Sequence, residues 1–169
     1  MSSLRSLFQF VEALPTSVMI RESLYGYTIL LTTHVVSMCL FAGLIAMMDL
    51  RLAGWAYRDA PVSQVQKRLF PWQMFGMAVS SVTGLLIFYG QPMRYYGKVF
   101  FWAKMLLMLG AGLNAYIFHV TTYKSVAQWD SSAMPPARAK LAGDIGLVLW
   151  GLVIVFGKLT AYNWLTYSR

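Results

Sequence analysis

Charge is what this sequence has least of. Asp, Glu, Lys and Arg make up 12% of its 169 residues, about half of the roughly 25% usual in soluble domains. So few charges cannot clothe a water-exposed surface, which excludes a soluble monomer. A hydrophobic content of 58% excludes intrinsic disorder, which needs low hydrophobicity. Cysteine is nearly absent too. The single Cys39 excludes a disulfide framework and any zinc site built from several thiolates. Acidic residues number only 6 against 14 basic ones, for a formal charge of +8. That excess invites a nucleic-acid reading only if the cations cluster on one soluble face.

What is present is apolar sequence in long runs. A helix needs about 20 consecutive, mostly apolar residues to cross a bilayer. Ser23 to Met48 and Leu69 to Met93 carry no charge at all. Val99 to Tyr123 carries only Lys104, and Ile145 to Ser168 only Lys158. A lone strand in lipid would leave its backbone groups unpaired, so these are helices. The expected fold is an all-α integral membrane protein, a four-transmembrane-helix bundle with spans at about 23–48, 69–93, 99–123 and 145–168. The first span is too long for a signal-peptide core and is read as retained. Ahead of it, Leu4, Leu7, Phe8 and Val11 recur at helical spacing between Arg5, Gln9 and Glu12. Residues 1–22 therefore read as an amphipathic segment on the membrane surface, broken at Pro15, with Thr16 capping a second short turn. The four-helix domain occupies 23–168, and Asp130 to Pro136 reads as a loop.

The cations then orient the chain. Arg51, Arg58, Lys67, Arg68, Lys124, Arg138 and Lys140 fall in the loops after spans one and three. Arg5, Arg21, Arg94, Lys98 and Arg169 fall on the other side. The positive-inside rule thus puts both termini outside the cytoplasm, as in a bacterial inner membrane protein. The net charge is topological, and no nucleic acid is implied. Trp55, Trp72, Trp102, Trp129 and Trp164 sit near span ends, as interfacial anchors do. With so little soluble mass, the partners are membrane lipids, a second copy in a homo-oligomer, or a redox partner protein.

An ionisable group inside a span is costly and points to function. Here there are His34, Lys104, His119 and Lys158. The acidic residues sit at span ends, so neither an acidic proton relay nor a nucleophilic triad has its carboxylate. Histidines on membrane helices suit haem: imidazole binds iron, the ring wants an apolar slot, and the propionates want cations. Thr33, Ser37 and Met38 give His34 such a slot, and Gly110, Ala111, Gly112 and Ala115 let a flat ring approach the third span. By helical rise, His34 and His119 differ in depth by roughly 15 Å, which argues against one iron shared by the two. His34, Lys104 and Lys158 all fall in the outer half and converge on one expected pocket, with His34 on iron and the lysines facing propionates or an acidic substrate. His119, level with Met74 and Met77, is a candidate ligand of a second haem. Against these stand plainer roles: histidines bonding across helices, lysines snorkelling to the interface, Cys39 as packing, and Asp49 with Arg51 as a solvated helix-end pair. The 11 methionines suit core filling, with copper handling as the alternative.

The run H34-V-V-S-M-C-L-F-A-G-L44, followed by R51-L52, resembles the first span of a bacterial family of small haem-binding membrane proteins that oxidise protoporphyrinogen. W102-A-K104-M-L-L is similar to a later helix of that family. The resemblance implies that His34 is a haem ligand and that Lys104 serves the porphyrin or substrate site. Copper-resistance D-type membrane proteins share a similar layout. D49-L-R-L-x-G and N114-A-x-x-F-H119 also resemble uncharacterised bacterial four-span proteins, which implies that His119 is characteristic of such a group. The expected function is a b-type haem-binding membrane protein in electron transfer or haem-linked oxidoreduction. The alternatives are a non-catalytic membrane subunit packing against partner helices, and a copper-handling transporter.

Overall fold

The computed structural model describes residues 2–162. Two short helices, α1 (Ser2–Ala13) and α2 (Pro15–Glu22), precede α3 (Leu24–Ala53) and α4 (Val62–Gly90). A single turn, α5 (Pro92–Tyr96), leads to α6 (Val99–Val120). A short 3-10 segment (Tyr123–Gln128) then leads to α7 (Ala137–Leu159). Helices α3, α4, α6 and α7 are each long and apolar enough to cross a membrane. The protein is an all-α bundle of four such helices.

The spans differ from the sequence expectation at their charged ends. Helix α4 begins at Val62 and α7 at Ala137, so Lys67, Arg68, Arg138 and Lys140 ride on helical turns. A charge ends an apolar run without ending a helix, because its backbone bonds are unaffected. Helix α3 stops at Gly54, whose left-handed φ of 76° forms the C-cap, the conformation glycine adopts at least cost. At its start the Ser23 hydroxyl accepts from the Gly26 amide. Thr16 does not cap α2, whose N-cap is Leu14; its hydroxyl bonds Tyr89 Oη instead. Trp164 and the end of the fourth expected span lie outside the described residues.

Helix α3 is the hub, packed against both α4 and α7, while α6 packs against α7. Small residues permit this closeness. A Cβ at Gly76 would come within 3.1 Å of Phe41 Cβ, and one at Gly143 within 2.8 Å of the Ala53 amide nitrogen. Amide side chains tie the pairs together: Gln73 Nε2 donates to Leu44 O at 3.1 Å, and Asn114 Nδ2 to Ala142 O at 2.9 Å. The α1 helix folds back so that the Phe8 ring meets Phe88 and Tyr96 edge-on.

At the opposite end a small core gathers Met48, Leu52, Val62, Phe118 and Ala139. Beside it lies Arg51, fully buried. Its guanidinium donates to Ala60 O at 2.7 Å, Ser132 O at 3.0 Å and Asp130 O at 3.5 Å. The expected Asp49–Arg51 solvated pair is therefore not formed. Arg51 turns into the loops, while Asp49 lies against α7, where a Cβ at Gly146 would collide with its carboxyl. Cys39 likewise is not packed inside but exposed on α3.

Candidate functional site

His34 sits half-buried on the α4-facing side of α3. Its Nδ1 lies 3.0 Å from Ser80 O and 3.0 Å from Thr83 Oγ1. A carbonyl can only accept, so Nδ1 carries the proton and Nε2 the lone pair. Nε2 has no hydrogen-bond partner among the described residues. Gly84 makes this possible, since a Cβ there would come within 2.9 Å of His34 Cε1. Thr83 is itself anchored, donating to Val79 O at 2.7 Å. The ring is thus fixed in tautomer and orientation by α4, an arrangement typical of metal-ligating histidines.

Lys104 reaches the same level from α6, close enough to act electrostatically on the His34 ring. Its stem rests on Gly157 of α7: a Cβ there would lie 3.8 Å from Lys104 Cδ and 4.0 Å from Nζ. Lys104 has no acidic partner among the described residues. The ion pairs among the described residues are those of Arg21 with Glu12 and Glu22. Lys158 is exposed and does not join this group; a position next to Gly157 turns it about 100° away around the helix.

His119 is placed elsewhere. Its Nδ1 bonds Ala115 O within α6 at 2.9 Å, and its Nε2 lies 3.4 Å from Gln66 Nε2 on α4. The Tyr123 ring leans on it at 5.3 Å. Helical rise along the sequence puts His119 level with Met74 and Met77, but Gln66 faces it, because α4 begins earlier and its first turns lie beside the end of α6. The two histidines occupy different ends of the bundle interior. Sequence reasoning missed Ser80, Thr83 and Gly84, whose signal is the small and polar run S80-S-V-T-G84 interrupting an apolar helix. No group of three or more His, Cys, Asp or Glu side chains able to hold a metal ion occurs among the described residues.

Outside the spans, two charged groups stabilise helix ends. Asp130 accepts from the Ser63 hydroxyl and amide, and these bonds hold its carboxyl below the usual carboxylate range. Lys98 donates to Thr160 O at 2.7 Å, and burial, then the Arg94 charge, pushes its ammonium below the usual lysine range.

Four helices long and apolar enough to span a membrane, with a half-buried histidine on α3 and a lysine on α6 between them, define an integral membrane protein. The chain belongs to a family described as a family of unknown function, DUF6644, whose model matches residues 19–164. No curated protein and no solved structure matches it.

Proposed function

We propose that the protein is a b-type haem-binding membrane protein of a bacterial inner membrane, both termini outside the cytoplasm, serving electron transfer or haem-linked oxidoreduction. The observation that carries this reading is the His34 ring, anchored through Nδ1 to Ser80 O and Thr83 Oγ1, with Nε2 free of a hydrogen-bond partner among the described residues. A neutral imidazole held this way would serve as a preorganised ligand for a haem iron. The residues present suit the group: Gly84 and Gly157 remove bulk beside the two side chains, and Lys104 offers an unpaired cation to a propionate. Bound haem would supply one-electron chemistry; the chain's part is to ligate, to neutralise an acid group and to keep water out. His119 already has a contact at each ring nitrogen, so the reading rests on His34 alone.

The test is a visible spectrum with pyridine haemochrome quantitation on protein purified in detergent and supplied with haem. Wild type should show a Soret band and split reduced bands. His34→Ala should lose bound haem while keeping its elution volume. A colourless wild type, or full occupancy in His34→Ala, overturns the assignment. A colourless protein rich in copper would indicate copper handling, and a metal-free one the role of a membrane subunit.

A further inference from the structure

The four spanning helices do not close into a ring. Close packing joins α4 to α3, α3 to α7 and α7 to α6, and among the described residues the fourth side, between α4 and α6, is bridged by side chains near its two ends. At one end Gln66 meets His119, and at the other Phe88 stacks on Phe101 with ring centroids 5.5 Å apart. Along α6 these two bridges are about 27 Å apart, close to the thickness of a hydrocarbon core. Gln66 and Phe88 lie within about 40° of each other around α4, and Phe101 and His119 point the same way from α6. Met77 shares that face of α4, while Met105, Met108 and Gly112 share that face of α6.

None of these is closed over. Met77 is 41% exposed, Met105 39% and Met108 36%. A Cβ at Gly112 would meet nothing within 4 Å, so no part of α4 leans on it. Helix α6 is held chiefly by α7: 6% of its apolar stretch is buried, against 28% for α4. By the same interpolation Lys104 stands level with Gly84, on which the His34 ring rests. The seam therefore leads from lipid to the His34–Lys104 pair, between helices lined by pliable methionines.

We infer that the His34–Lys104 site is reached sideways from the hydrocarbon core through the α4–α6 seam, and that its ligand is a lipid-dissolved molecule with an apolar body and an acid group. A ligand delivered from water would not need a slot flanked by thioethers. A purely apolar one would leave the Lys104 charge without a partner. The route does not depend on the haem reading; the identity of the ligand does.

The experiment uses the full chain in proteoliposomes with Cys39→Ala and Lys104→Cys, so that the only thiol lies at the site. A bilayer-dissolved alkyl maleimide should label it faster than a charged, water-borne one applied to both faces. Gly112→Trp, placed in open space and leaning toward Met108 and Lys104, should slow that labelling by about an order of magnitude, because helical side chains tilt toward the N-terminus. Gly151→Trp, at a position on α7 equally free of neighbours, should leave it unchanged. Faster labelling from water, no labelling by either reagent, or no effect of Gly112→Trp overturns the lateral route. If labelling follows the expectation while wild type takes up no haem, the route stands and the haem identity falls.

Discussion

A single carboxylate shows how much a residue's neighbours decide. Asp130 lies in the loop before α7, yet it caps α4, accepting from Ser63 Nα at 2.7 Å while its own carbonyl accepts from the Val62 amide. Hydrogen bonds to the charged form hold its pKa down. The resulting stability is fully present above the usual carboxylate pKa, about 3.9, and is lost as pH falls through the lower folded value. Thermal unfolding followed by circular dichroism should therefore show a loss of midpoint on acidification that Asp130→Asn flattens. An unchanged acid slope in that variant would disprove the capping account. The same residue marks a limit of sequence reading. Asp130 and Ser63 are far apart in the chain and neither sits in a motif, so nothing in one dimension joins them. His34 and Lys104 were legible because counting residues from the span ends puts them at one depth. The Thr83 and Gly84 contacts that aim the imidazole were not, because depth alone leaves rotation about the helix axis open.

Among the elements, the long helices were legible because each carries an apolar run of membrane length. Their ends were not, since the charges that end those runs ride on further helical turns. Arg51 is where this matters most. Read as a surface cation at a helix end, it instead joins the α3–α4 connection, through Ala60 O, to the α6–α7 connection, through Ser132 O. The carbonyls that receive it converge only when both loops fold over the same helix end. Replacing it should loosen the two helix pairs from each other at that end. Arg51→Met leaves part-buried carbonyls unpaired, each worth about 1–3 kcal/mol, and should destabilise the bundle by about 3 kcal/mol in reversible SDS unfolding. Arg51→Lys should recover only part, because an ammonium cannot span acceptors as the planar guanidinium does. Equal stability of both variants and wild type would mean the loops hold themselves in place.

On the scale of the whole molecule, the fold fixes which groups share an end, and the charges predict which end faces the cytoplasm. The α3–α4 and α6–α7 connections form one end, held together by Arg51. The other gathers α1, α5 and the Lys98–Thr160 contact. By the sequence count, seven basic residues fall in or beside these two connections and five on the other side, so the positive-inside rule predicts that the Arg51 end faces the cytoplasm. That orientation would set His34 and Lys104 in the outer half of the bilayer, nearer Phe88 and Phe101 than Gln66 and His119. On the haem reading it would also put a redox partner on the outer side, because electron transfer favours the shorter path. Single cysteines in the Cys39→Ala background test the orientation directly. Asp59→Cys and Ala133→Cys, both in exposed loop positions, should resist a membrane-impermeant maleimide in intact cells and react once the membrane is opened. Gln9→Cys, exposed on α1, should react in both. The reverse pattern would put the termini inside and move the site to the cytoplasmic half. Moving two cations decides the cause: with Lys67→Gln and Arg68→Gln the bias changes from seven against five to about even, and the labelling of Asp59→Cys should become mixed. Undisturbed labelling there would show that packing, rather than charge, orients the bundle.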